Sequence, residues 1–186
     1  IYEVRCACGN VIDFDEETLE KGSIVCAECG EAEPLEVTIT FDNTSKRTTS
    51  TTSQQVWEQN GITVTNDKAA STSNVGDYGG EGYPARFYQN SSLKIEYPGM
   101  TKIVIACNTA AYATSCSKSL ASIGANVTVD NKNVIITFSE AVDTFTFILS
   151  DGQVRVDSIT VYALAQTQQC KHTNTTVEGA IAADCI

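Results

Sequence analysis

The stretch that decides the fold is Val127-Thr128-Val129-Asp130-Asn131-Lys132-Asn133-Val134-Ile135-Ile136-Thr137-Phe138. In it, two runs rich in β-branched residues flank a polar turn, which is the pattern of a β-hairpin. Similar short runs recur along the chain between Gly, Asn, Asp and Ser. They predict strands at Val37–Phe41, Ile62–Thr65, Ala85–Tyr88, Leu93–Tyr97, Lys102–Cys107, Val127–Val129, Val134–Phe138, Thr144–Leu149 and Val154–Leu164. About nine short strands are typical of an all-β antiparallel sandwich.

The segments between these strands complete the organisation. One helix is predicted at Ala113–Ile123, with Gly124 as its C-cap, and two polar stretches, Thr44–Ser53 and Gly76–Gly82, are predicted to be surface loops. We divide the chain into a cysteine-rich subdomain at 1–36, the β-sandwich at 37–165 and a polar tail at 166–186.

Composition and charge exclude several functional classes. The chain has 186 residues, of which 42% are apolar and 19% charged, as in ordinary globular proteins. Its net charge is −11, and ten acidic residues against two basic ones in residues 1–36 supply −8 of it. We therefore expect no nucleic acid as a partner. No apolar run approaches the roughly 20 residues of a membrane helix, so we expect no membrane insertion.

Four of the eight cysteines lie in two close pairs near the N-terminus. Cys6 and Cys8 are followed by Gly9, and Cys26 and Cys29 by Gly30. Two such pairs are the pattern of a zinc ribbon, in which four thiolates close a tetrahedral structural site. The first pair has one intervening residue where the usual knuckle has two. The alternative is two disulfides, which would also staple a segment too small for its own core.

The other four cysteines form two further groups. Cys107 and Cys116 bracket a loop of about ten residues that a disulfide would close, and the alternative is two buried free thiols. Cys170 and Cys185 lie in the tail with His172, so they either form a disulfide or join a metal site completed by residues outside this chain.

Candidate ligand contacts cluster around the early loops. Aromatic faces beside polar neighbours hold sugar rings in many sandwich modules, and the candidates here are Trp57, Tyr78, Tyr83, Arg86 and Tyr88. Alternate residues of Ala85–Tyr88 must point inward, so some of these aromatics belong to the core, and Trp57 is an alternative core anchor. Tyr78 and Tyr83 are expected to be exposed ahead of Phe87.

The inventory for catalysis is poor. The only histidine, His172, lies in the polar tail, so a Ser-His-Asp or Cys-His scheme would depend on the least anchored segment. We predict that the chain is not an enzyme. Asp42 and Asp157 would share a calcium ion if their strands pair, although two carboxylates are few for such a site. Sequons for glycosylation occur at Asn43, Asn90, Asn126 and Asn174.

Several segments resemble a known family. They are Val37-Thr38-Ile39-Thr40-Phe41-Asp42, Gln55-Val56-Trp57-Glu58-Gln59-Asn60-Gly61-Ile62, Ser73-Asn74-Val75, Pro84-Ala85-Arg86-Phe87-Tyr88 and Gly152-Gln153-Val154-Arg155-Val156-Asp157-Ser158-Ile159. Together they resemble a β-sandwich domain of secreted and surface proteins of gut bacteria, similar in strand pattern to jelly-roll carbohydrate-binding modules. The resemblance implies an extracellular or cell-surface location. The tail resembles the start of a small cysteine repeat, and the N-terminal pairs resemble short clostridial ribbons.

Two functions from different classes follow. The first is a non-catalytic module that binds a glycan or a host surface through loop aromatics, in adhesion or carbohydrate binding. The second is a structural subunit of an extracellular fibre or surface layer, whose terminal segments dock into copies of itself.

Overall fold

The computed structural model describes residues 2–5, 11–14, 35–42, 45–75 and 85–163. Tyr2–Arg5 (β1) and Val11–Phe14 (β2) form an antiparallel hairpin, paired from Tyr2 with Phe14 to Arg5 with Val11. This hairpin belongs to one compact unit and residues 35–163 to another. The cysteines predicted to bind zinc, Cys6, Cys8, Cys26 and Cys29, lie outside the described residues, as do Cys170, His172 and Cys185.

Nine strands and one helix are described in residues 35–163. The strands are Leu35–Thr40 (β3), Arg47–Ser50 (β4), Gln54–Gln59 (β5), Ile62–Asp67 (β6), Ala85–Phe87 (β7), Ser92–Cys107 (β8), Val127–Asp130 (β9), Asn133–Ile148 (β10) and Val154–Ala163 (β11), and the helix is Ala110–Ala121 (α1). They form one antiparallel sheet in the order β3-β11-β8-β6-β5-β4, with β10 beside β8, β9 beside β10 and β7 beside β11. The all-β prediction is confirmed, and the sheet curls into a half-barrel.

The two longest strands of the sheet are β8 and β10. The sequence predicted four short strands, Leu93–Tyr97, Lys102–Cys107, Val134–Phe138 and Thr144–Leu149, but each pair is one continuous strand, β8 or β10. Their pairing shifts register between Thr137 and Val142, opposite Met100–Lys102. At the same level Gly99 adopts φ +68°, and its N–H donates to Asp143 Oδ1 at 2.8 Å. A bulge of this kind bends a strand without ending it, so turn-like residues here do not separate strands.

The prediction of a loop at Thr44–Ser53 was wrong in part, because β4 lies inside it and pairs with β5. The β5 strand was not predicted either. The missed signal is Asn60-Gly61, which joins β5 to β6 with φ +54° and +78°. Such a two-residue Asn-Gly turn demands a strand on each side of it.

The predicted helix is confirmed, with earlier bounds at Ala110–Ala121. It begins three residues before the predicted start because Thr109 caps it, its Oγ1 accepting from the N–H of Tyr112 at 3.4 Å. Gly124 has φ +74°, and the chain leaves the helix there.

The core fills the concave side of the curled sheet. Alternate residues of β8 and β11 point into it, among them Ile95, Ile105, Val156 and Ile159. Three aromatic residues close one part of the core, with ring centroids of Phe41 and Trp57 5.2 Å apart and those of Trp57 and Phe87 6.1 Å apart. This cluster fixes β7 against the rest of the sheet, because Phe87 is fully buried within it.

Candidate functional site

The short strand β7 carries the candidate site. It pairs with the start of β11, Phe87 opposite Val154, Arg86 opposite Arg155 and Ala85 opposite Val156. Because side chains alternate along a strand, the buried Ala85 and Phe87 leave Arg86 on the outer face, where it is half-buried. Tyr88 follows directly, also half-buried.

A partly buried hydrogen bond from a core side chain holds β7. Asn66 of β6 is 0% exposed, and its Nδ2 donates to the carbonyl oxygen of Arg86 at 2.9 Å. This bond connects two strands that are not neighbours in the sheet. The backbone that presents Arg86 is therefore fixed on one side by pairing with β11 and on the other by a side chain from the core.

Two buried acceptors lie beside this bond. Gln55 of β5 is 1% exposed and pairs with Asn66 across the strands. Neither Gln55 Oε1 nor Asn66 Oδ1 has a hydrogen-bond partner among the described residues. Buried amide oxygens are nearly always satisfied, and buried water is the common partner where protein groups are absent. Gln55 and Asn66 are thus a polar pair within the otherwise apolar core, and the Asn66 bond connects this pair to β7.

Arg155 brings a second guanidinium to the outer face beside Arg86. Its Cζ lies 5.8 Å from the centroid of the Tyr112 ring, within the range of a cation–π contact. Its Nε is buried and has no hydrogen-bond partner among the described residues. None of the ion pairs between described residues includes Arg155. We call Arg86, Tyr88, Tyr112 and Arg155 the arginine face.

The start of α1 lies next to the arginine face. The N–H of Asn108 donates to the carbonyl oxygen of Arg155 at 2.9 Å, and Thr109 then caps the helix. The first turn of α1 contains no acidic residue, so the partial positive charge of the helix N-terminus is not neutralised within it. The nearest carboxylate along β11 is Asp157, whose Oδ1 accepts from Asn108 Nδ2 at 3.2 Å.

The structure separates the predicted ligand contacts. Trp57 is 4% exposed and packs against Phe41 and Phe87, so it is a core residue, the alternative that the sequence left open for it. Arg86 and Tyr88 are adjacent on β7 and at its end. Tyr78 and Tyr83 lie outside the described residues.

Sequence reasoning missed Arg155, Tyr112 and Asn66. Arg155 alternates with two valines, which marks it as an outward residue of a strand. The neighbouring strand β7, however, lies more than sixty residues earlier in the chain. Only the register of the two strands shows that Arg86 is opposite Arg155. Asn66 lies in a polar run, and nothing in the sequence around it indicates that its side chain is buried.

The predicted cysteine pair and two of the predicted glycosylation sites lie within the described residues. The disulfide predicted between Cys107 and Cys116 is not formed: both are free, buried thiols, which is the alternative that the sequence left open. They share a hydrogen bond, and this bond and burial raise the pKa of the Cys116 thiol well above its ordinary value. Asn90 and Asn126 are exposed, as glycosylation requires, whereas Asn43 and Asn174 lie outside the described residues.

The predicted calcium pair meets its geometric condition, because β3 and β11 are paired and the N–H of Phe41 donates to the carbonyl oxygen of Asp157 at 2.9 Å. Asp42 Oδ1 lies 2.7 Å from Lys46 Nζ, and this hydrogen bond lowers the pKa of Asp42. Within the described ranges no group of three or more His, Cys, Asp or Glu side chains converges. Calcium at this pair stays a prediction.

Comparisons of the chain with protein families, with curated proteins and with solved structures found no match. Among the described residues, no helix has the length and apolar character needed to cross a membrane.

Proposed function

We propose that the chain is a non-catalytic extracellular module of a bacterial surface protein, which binds glycans in adhesion or carbohydrate recognition through the arginine face. The observation that carries the proposal is the placement of Arg86 and Arg155 directly opposite each other, with Tyr88 beside them. The jelly-roll-like architecture and the N-terminal zinc ribbon that the sequence predicts are part of the same proposal.

The chemistry of these side chains supports glycan binding. A guanidinium is planar and offers five donors in a fixed fork, which suits the closely spaced oxygens of a sugar. A tyrosine at the edge of such a group adds an apolar ring face and a hydroxyl. The backbone beneath is held by strand pairing and by the Asn66 bond, so little ordering entropy remains to be lost on binding.

The test is a glycan array followed by titration calorimetry with purified glycans. We expect the full chain to bind at least one glycan class, and Arg86→Ala or Tyr88→Ala to weaken that binding about tenfold. The matched control is Lys102→Ala. Lys102 also lies over a tyrosine ring, that of Tyr162, but at the other end of β11. An array without binding, or equal losses in all three variants, would contradict the proposal.

The competing function is a structural subunit whose ends dock into copies of itself. Sedimentation and mass of the native, unreduced protein with metal analysis separate the two. A monomer with one bound zinc supports the binding module and its ribbon at Cys6, Cys8, Cys26 and Cys29. Large assemblies without metal, with masses that indicate disulfides, support the fibre subunit.

A further inference from the structure

We infer that the free edge of β10 binds a second copy of the chain, so that the sheets of two copies join across a two-fold axis. β9 pairs with β10 only from Asn133 to Ile136, whereas β10 continues beside β8 as far as Ile148. Among the described strands, none lies on the other side of Thr144–Ile148. The backbone donors and acceptors on that side are a template for another strand. This edge is separate from the arginine face, and its role is independent of glycan binding.

The core is less completely covered along this edge. One row of inward side chains runs through directly paired positions, from Trp57 of β5 through Val64 and Ile95 to Phe145 of β10. The first three are at most 4% exposed, but Phe145, at the end of the row, is half-buried. Ile136 lies on the same face of β10 but has β9 beside it, and it is 1% exposed. A strand added next to Phe145 would therefore bury apolar surface that the described residues leave in contact with water.

The other edges of the sheet carry protections that natural sheets use against strand addition. β4, β7 and β9 have four residues or fewer. The edge of β3 is covered by two side-chain hydrogen bonds, from Asn60 Nδ2 to the carbonyl oxygen of Thr38 and from the N–H of Thr40 to Gln59 Oε1. Thr144–Ile148, by contrast, lies in the long strand β10 and contains no charged residue and no proline.

The sequence of this edge is complementary to itself. In an antiparallel pair centred on Thr146, the two Thr146 residues lie opposite each other and Phe145 lies opposite Phe147 of the second copy. Ile148, which is 43% exposed, then lies opposite Thr144 of the second copy. Aromatic and β-branched pairs of this kind stabilise neighbouring strands. No charges meet in this register, although two chains of net charge −11 repel each other elsewhere, so the edge fits a second copy of itself.

The size and symmetry of the contact determine what it forms. A few paired residues on each copy make an interface at the low end of specific interfaces, so we expect a Kd on the order of 10–100 μM. A two-fold contact uses the same patch on both copies and closes on itself. The product is a dimer rather than the large open assembly of a fibre subunit.

The experiment is sedimentation of the full chain from about 1 to about 300 μM, in which we expect a shift from monomer to dimer. Thr146→Glu should weaken the dimer about tenfold, because two glutamates then meet at the two-fold axis. Thr146 is exposed and lies opposite Lys94 within the chain, so a glutamate is compatible with the fold. The matched control is Thr128→Glu, which adds the same charge at an exposed threonine of β9 and should change the Kd by no more than about twofold.

A charge swap tests the register of the pair. Thr146→Lys alone should also weaken the dimer, whereas an equimolar mixture of Thr146→Glu and Thr146→Lys should restore it, because opposite charges then meet at the axis. Circular dichroism ensures that each variant is folded. Weakening in both variants without recovery in the mixture would show that the strands do not pair about Thr146 and would overturn the inference.

Three further results would overturn the inference and leave glycan binding by the arginine face standing. The first is a monomer at every concentration, and the second is a dimer that Thr146→Glu does not weaken. The third comes from hydrogen exchange of the Thr144–Ile148 amides that do not bond to β8. These amides should gain protection as the dimer forms, and equal protection at the lowest concentration would mean that another segment of the same chain covers the edge.

Discussion

The two ends of β11 carry the same local motif in opposite electrostatic settings. Near its end, Lys102 Nζ lies 3.5 Å from the centroid of the Tyr162 ring, and Glu36 is directly opposite Tyr162 on the other side. Near its start, Arg155 lies over Tyr112, and the residue directly opposite is Arg86. We call Glu36, Tyr162 and Lys102 the balanced row. A cation over a tyrosine thus has an acid in the same cross-strand row at one end of β11 and a second cation directly opposite it at the other.

The difference between the two ends is set by strand register rather than by a sequence motif. Each end is built from ordinary sheet residues, and neither carries a sequence signature of its own. The balanced row contributes to stability as any cross-strand neighbours do. The arginine face, by contrast, places two guanidinium groups opposite each other on neighbouring strands.

The largest expected effect concerns the anchor of the arginine face. Phe87→Ala should lower the free energy of unfolding by about 3–5 kcal/mol, because it removes a fully buried ring that packs against Trp57. Urea unfolding measures the loss. The control is Phe138→Ala. The Phe138 ring is half-buried and lies outside this cluster, with its centroid 5.2 Å from that of Phe145, so its removal should lower the free energy of unfolding by less. Equal losses would mean that β7 is not anchored through Phe87.

The next prediction concerns two asparagines that make the same bond in different surroundings. Asn66 Nδ2 donates to the carbonyl oxygen of Arg86 in the core, and Asn60 Nδ2 donates to the carbonyl oxygen of Thr38 at the surface, both at 2.9 Å. Asn66→Ala should lower the free energy of unfolding by about 1–3 kcal/mol, since it removes the donor to a partly buried carbonyl oxygen.

The control is Asn60→Gly, because glycine accepts the φ of +54° at this turn. It should cost well under half as much, since water replaces an exposed bond. A hydrogen-exchange measurement adds a second check: amides of β7 should lose protection in Asn66→Ala and keep it in Asn60→Gly. Similar losses of stability in both variants would contradict the role given to burial.

The extent to which the sequence predicts this molecule follows the same division between local and long-range information. The hairpin of β9 and β10 is local: Asn131 takes the positive φ that its turn needs, and the predicted pairing is observed. The capped helix is local as well. Strand continuity is not, because Pro98-Gly99 looks like a turn but forms a bulge in β8. Whether such residues bend a strand or end it depends on the partner strand β10, which lies some forty residues away.

The candidate site was only half predictable for the same reason. Arg86 and Tyr88 stand in one short run and were predicted as ligand contacts. Arg155 lies beside Arg86 only because β7 pairs with β11. Trp57, predicted as a ligand contact, packs against Phe41 in the core instead. The side chain of an aromatic residue in a strand points to one of the two faces of the sheet, and the sequence around Trp57 does not indicate which.

Charge reversal at the two ends of β11 should change the free energy of unfolding by a smaller amount, and the sign of the difference between the two variants distinguishes the ends. Lys102→Glu loses its contact with Tyr162 and adds an acid to the row that holds Glu36. Arg155→Glu loses a similar contact with Tyr112 but gains an opposite charge across from Arg86. We expect Arg155→Glu to be the more stable variant by about 0.5–1 kcal/mol in chemical unfolding at low salt. The gap should shrink in high salt, and a gap of the opposite sign would refute the charge assignment of the two ends.

The smallest expected effect is a titration within the balanced row. Burial, and after it the negative charge and hydrogen bond of Glu36, raise the pKa of Tyr162 above its ordinary value of 10.0. A pKa that is higher in the folded state favours the protonated ring there. The resulting stability is fully present below the unfolded-state pKa and is lost as pH rises above about 10 toward the folded-state value. Glu36→Gln removes the charge, so the pKa of Tyr162 should fall toward 10 and the alkaline loss of stability should lessen. Carbon NMR of ring-labelled tyrosine, assigned with Tyr162→Phe, follows this one residue. The control is Glu96→Gln, which removes the same charge beside Lys94 and should leave the titration of Tyr162 unchanged. If Glu36→Gln also leaves that titration unchanged, Glu36 does not raise the pKa of Tyr162.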